Sequence, residues 1–136
     1  HALSARVLEA VKYETGQTGP ETTAEQALGL GKGVCQDHAH VFISAARALG
    51  YPARYVSGYL LLDGKDAQEA SHAWAELYVQ DLGWVGFDAA NECCPDERYI
   101  RVGSGLDAHD AAPIRGISLG AGEESMDIQV SVAAQQ

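Results

Sequence analysis

The sequence predicts an α+β domain in which a helix that carries a cysteine at its N-terminus packs on an antiparallel sheet. Two observations carry this expectation. Apolar residues recur at three- and four-residue steps up to Leu49, and from Ala53 onward they alternate instead. Helices first and strands after is the order of an α+β architecture rather than of alternating βαβ units.

The elements follow in order. Leu3, Val7, Ala10 and Val11 form one apolar stripe on a short surface helix over residues 3–12, and "GQTGP" then reads as a loop. Thr22 and Glu25 have capping-box spacing, so a brief helix is expected to start there and stop near Gly29. Gly31 and Gly33 allow a tight entry to the next helix, in which Cys35, Ala39, Phe42, Ala46 and Leu49 share an inward stripe. Gly50 and Pro52 end that helix. The segments "ARYVSGYLLL", "SHAWAELYVQ", "GWVGFD", "RYIRVG" and "SMDIQVSV" then read as strands, the last with Met126, Ile128, Val130 and Val132 on one face. Residues 103–124 are long enough to form a mobile connection.

The 136 residues suit a single domain with one core, residues 1–136. A net charge of -10 argues against nucleic acid and against an anionic membrane surface as partners. No apolar run approaches the roughly 18 residues of a membrane-spanning helix, and the first residues lack the order of a signal peptide. Three cysteines do not frame a disulfide-rich fold, which favours a reducing, cytoplasmic setting. The chain starts without methionine, as a piece of a longer protein would.

Cys35 stands where the N–H groups of a helix start have no intrahelical partners, and their partial positive charge favours thiolate over thiol. A thiolate nucleophile also needs a group that protonates a leaving amine, and His72 is the candidate. Alternation puts His72, Trp74, Glu76 and Tyr78 on one face of their strand and the more apolar Ala73, Ala75, Leu77 and Val79 on the other. Either both faces are covered, or a bulge near Ser71 turns His72 inward. If Val79 pairs with Gly83 across a three-residue loop, Asp88 falls opposite Trp74 on the histidine's face; a two-residue loop sends it to the other face.

"GKGVCQDHAHVFISAARALGYPARYVSGYLL", "SHAWAELYV" and "GWVGFDAAN" resemble the three motif blocks of the transglutaminase-like superfamily, in particular its bacterial cysteine-protease-like members. The resemblance runs from about Thr22 onward. It implies a papain-like α+β fold with a Cys35 nucleophile, a His72 acid/base and an Asp88 orienting carboxylate. It also implies no cofactor and a separate β-rich region preceding this domain. Asp37, Trp74, Trp84 and Asn91 are candidates for cleft or support positions. Two departures stand out: no proline follows Asp88, and His38 occupies a place more often aromatic.

The expected activity is acyl transfer from an amide, peptide or isopeptide bond through a Cys35 acyl-enzyme, with a peptide or protein substrate and water or an amine as acceptor. The alternative is a non-catalytic peptide-binding or scaffolding module that keeps the fold. A metal site built from Cys35, His38 and His40 with Cys93, Cys94 or Asp96 lacks paired ligand spacing and is not expected.

Overall fold

The computed structural model describes residues 1–61 and 71–112. Helix α1 (Ala2–Ala10) leads into a two-residue strand β1 (Lys12–Tyr13), followed by α2 (Ala24–Leu30), a second short strand β2 (Lys32–Gly33) and α3 (Cys35–Ala48). Four longer strands come next: β3 (Ala53–Leu60), β4 (Ser71–Val79), β5 (Gly83–Phe87) and β6 (Tyr99–Gly105). They form an antiparallel sheet in the order β5-β4-β3-β6, and β1 pairs with β2 in parallel. The expected final strand, with Met126 to Val132, lies outside the described residues.

The core lies between α3 and one sheet face. Ala39, Phe42, Ile43 and Ala46 meet Tyr55 of β3 and Ala73, Ala75 and Leu77 of β4. Small alanines on β4 let the helix approach closely, and Phe42 stacks on Phe87 with ring centroids 5.5 Å apart. Burial of Phe42 and Ile43 contributes about 1.5–3 kcal/mol each. The predicted stripe ends one turn early, because Leu49 is 68% exposed at the helix C-cap. Its neighbour Gly50 turns the chain away before the stripe can reach the sheet.

The α2 cap also differs from expectation. Thr23, not Thr22, accepts the Gln26 N–H, and the Gln26 side chain accepts the Thr23 N–H in return. The Thr22 hydroxyl instead accepts the Gly19 N–H and closes the preceding loop. Spacing alone could not separate two adjacent threonines that each have a polar residue three positions on.

His38, unexplained by sequence, is fully buried and donates from Nε2 to the Val11 carbonyl at 2.7 Å. It ties the end of α1 to α3, and its ring stacks on Tyr13.

The histidine face of β4 is covered without any bulge at Ser71. Pairing of β3 with β4 runs unbroken from Ala53↔Leu77 to Tyr59↔Ser71. Trp74 lies across Gly58, and Tyr99 packs edge-on against Trp74 at 5.2 Å. Both sheet faces are therefore covered here, by α3 on one side and by aromatic rings on the other. The irregularity sits instead between Ser57 and Gly58, where the register with β6 shifts.

Gly58 is what lets the rings lie so close. A Cβ at this position would stand 2.7 Å from Trp74 Cη2 and would also strike the Ile100 carbonyl. Gly58→Ala is expected to destabilise the fold by about 1–3 kcal/mol, read as a lower midpoint in urea with an unchanged slope.

Candidate active site

Cys35 is the first residue of α3, so its N–H has no intrahelical acceptor. The turn before it is held by Asp37, whose carboxylate accepts the Val34 N–H at 2.9 Å and the Thr18 hydroxyl at 2.6 Å. Asp37 is 1% exposed, so it supports the turn before Cys35 and lines no cleft. The Cys35 side chain is part-buried and packs against the core.

Asp88 reaches the histidine because of the β4–β5 hairpin. Val79 pairs with Gly83 across Gln80, Asp81 and Leu82. Asp81 and Gly83 adopt left-handed φ values of 71° and 82° to make the loop. The register continues through Ala75↔Phe87, which places the next residue, Asp88, opposite Trp74. Asp88 is then clamped by a two-way backbone bridge to Cys93.

His72 Nε2 donates to Asp88 Oδ2 at 2.7 Å. With Nε2 given to Asp88, Nδ1 is the ring nitrogen left over, and Cys35 is close enough to favour the charged ring. Burial works against a charged His72, yet the bond to Asp88 and the neighbouring Cys35 outweigh it and raise its pKa to about 9. Burial likewise works against a charged Asp88, and His72, Tyr99 and Asn91 together hold its carboxyl below the usual range.

Three donors converge on Asp88 Oδ2: His72 Nε2, Asn91 Nδ2 at 2.8 Å and the Tyr99 hydroxyl at 2.6 Å. The Asn91 N–H adds a longer bond of 3.4 Å to Oδ1. Sequence reasoning missed Tyr99. The signal was present in the alternation of "RYIRVG", but the register shift between Ser57 and Gly58 hides which β6 residues face the histidine.

The two tryptophans separate in role. Trp74 is 3% exposed and packs beside His72, with ring centroids 6.1 Å apart. Trp84 is 43% exposed, lies under Arg54 and packs on Tyr78, farther along the sheet. A groove of about 380 Å³ runs along this face past Trp74, Trp84, Glu76, Tyr99 and Arg101. A second cavity, of about 310 Å³, opens near His40 and Arg47 and touches none of Cys35, His72 and Asp88.

Among the described residues no three His, Cys, Asp or Glu side chains gather as a metal-ion cluster. His38 directs Nε2 to a carbonyl, and His40 Nε2 accepts the Ala108 N–H. No helix among the described residues is long and apolar enough to cross a membrane.

The raised His72 pKa fixes a pH signature. A group whose pKa is higher in the folded state adds stability below its unfolded value, near 6.5, and that stability is lost as pH rises through about 9. An NMR titration of the imidazole is expected to show a midpoint near 9. Asp88→Asn brings the midpoint down toward the ordinary value near 6.5 and flattens stability between those two pH values.

Comparison with known proteins places the chain in a family. The sequence model of the Transglutaminase-like superfamily matches residues 1–89. An uncharacterised Mycobacterium tuberculosis protein is 40% identical over 141 residues, covering 96% of this chain and 45% of the relative. A Mycobacterium leprae protein, also uncharacterised, is 39% identical over 125 residues, covering 88% of this chain and 44% of the relative. This chain thus spans less than half the length of these curated relatives. A Cytophaga hutchinsonii structure, provisionally described as a cysteine protease, matches with a TM-score of 0.70 at 36% identity, covering 82% of this chain and 37% of that one. Calcium-bound Legionella pneumophila LapG shares the fold at 18% identity and a TM-score of 0.60, over 86% of this chain and 71% of that one. With its helix-borne cysteine on an antiparallel sheet, the chain belongs to the transglutaminase-like superfamily.

Proposed function

We propose that this domain is a thiol-dependent acyl-transfer enzyme that cleaves a peptide or isopeptide bond. The observation that carries the reading is the 2.7 Å His72–Asp88 hydrogen bond at the ends of two paired strands, with Cys35 at a helix start close enough to help raise the histidine's pKa. A binding module has no need to bury a carboxylate at 0% exposure behind a histidine that neighbours a thiol.

The geometry supports the following roles. Cys35 Sγ attacks the substrate carbonyl carbon, and the Cys35 N–H stabilises the resulting oxyanion. His72, held charged near neutral pH, donates its Nδ1 proton to the departing amine as the carbon–nitrogen bond breaks. That step leaves a thioester on Cys35. The now neutral imidazole takes a proton from water, whose hydroxyl attacks the thioester and releases the acid. Asp88 keeps the ring oriented and stabilises its positive form throughout. An amine in place of that water gives transamidation. A Pseudomonas aeruginosa protein-glutamine gamma-glutamyltransferase is 29% identical to this chain over 101 residues, 66% of this chain and 14% of the relative.

The rate of alkylation by iodoacetamide, followed from acid to alkaline pH and mapped by peptide mass, tests the proposal. Cys35 is expected to react at pH values where exposed Cys94 stays inert, and to lose that advantage in His72→Ala. If the two thiols titrate together, or His72→Ala changes nothing, the domain is a binding module.

A further inference from the structure

The hydrogen-bond chain does not stop at Asp88. Tyr99 donates its single hydroxyl proton to Asp88 Oδ2 at 2.6 Å, since a carboxylate only accepts. Cys93 Sγ lies 3.3 Å from the same hydroxyl oxygen. With the phenol proton already committed, the Tyr99 oxygen can only accept there, so the Cys93 S–H is the donor. The protons therefore run in one direction, from Cys93 to Tyr99 to Asp88.

We infer that Tyr99 and Cys93 are positioning residues that fix the Asp88 carboxylate for His72, adding two side chains to Cys35, His72, Asp88 and Asn91. This rests on the thiol-enzyme reading above. Two independent structural features give the arm its rigidity. The Tyr99 ring is wedged beside His72 and edge-on to Trp74, with centroids at 6.0 and 5.2 Å. Cys93 is the residue whose backbone bridges Asp88 in both directions, at 2.8 and 3.2 Å. One loop thus holds the Asp88 main chain directly and its side chain through Tyr99. Burial and the bond to Asp88 both push the Tyr99 phenol up, so it remains a donor across the working pH range.

Tyr99 also partitions the carboxylate's charge. Oδ2 serves His72, Asn91 and Tyr99 together, and each donor draws on the same lone pairs. Loss of the phenol hydroxyl leaves more of that charge to His72 and less restraint on its direction.

Four proteins decide the matter: the parent, Tyr99→Phe, Cys93→Ala and Cys93→Ser. Tyr99→Phe keeps the ring packing and removes only the donor. The His72 titration is expected to move up by about half a pH unit in Tyr99→Phe. Cys93→Ala moves the His72 titration the same way by less, and Cys93→Ser, which restores a donor, lies nearer the parent. A His72 titration in Tyr99→Phe that superimposes on the parent overturns the inference and leaves Tyr99 as packing. Parent Cys35 reacting no faster than Cys94 defeats the thiol-enzyme reading, and the titration still decides the role of Tyr99.

Discussion

The hydrogen bond between His72 and Asp88 depends on one count: three residues, rather than two, separate Val79 from Gly83. Because strand side chains alternate with a period of two, a loop one residue shorter would turn Asp88 to the α3 face and leave His72 without a partner. The loop holds its length by placing Asp81 and Gly83 in left-handed backbone. Glycine adopts that conformation at no steric cost, and aspartate is among the side chains that tolerate it. The two-way backbone bridge from Asp88 to Cys93 then fixes the far end of β5. Everything the site does electrostatically follows from this register.

A fully buried carboxylate is costly unless its lone pairs are satisfied. Asp88 meets that demand with His72, Asn91 and Tyr99, so the same contacts that keep the charge buried also orient the imidazole. The aromatic layer on this side of the sheet has a matching purpose. Trp74 over Gly58 and Tyr99 against Trp74 shield the pair from water, which strengthens its electrostatics. Farther along the face, Glu76 accepts from Arg54 at 2.6 Å and from Arg101 at 3.1 Å, and the rim of the groove turns polar.

Much of this was legible in the sequence, and the rest was hidden for identifiable reasons. The α3 start at Cys35 and the β4 and β5 strands follow from periodicity and turn residues, and the three-residue hairpin was one of two registers that the sequence allowed. Asn91 could be singled out because it lies three residues beyond Asp88. Tyr99 could not, since it arrives from β6 on the far side of β3, across a register shift that no alternation rule anticipates. The two-residue strands β1 and β2 are too short to have a period. The role of His38 is equally invisible locally, because its partner Val11 lies 27 positions away.

The most direct test is to quench the protein in acid during reaction with an activated ester such as p-nitrophenyl acetate and to locate the acyl group by peptide mass. The account predicts one acyl group, on Cys35, with His72→Ala greatly slowing its formation. Acyl label absent from Cys35, or spread equally to exposed Cys94, would contradict it.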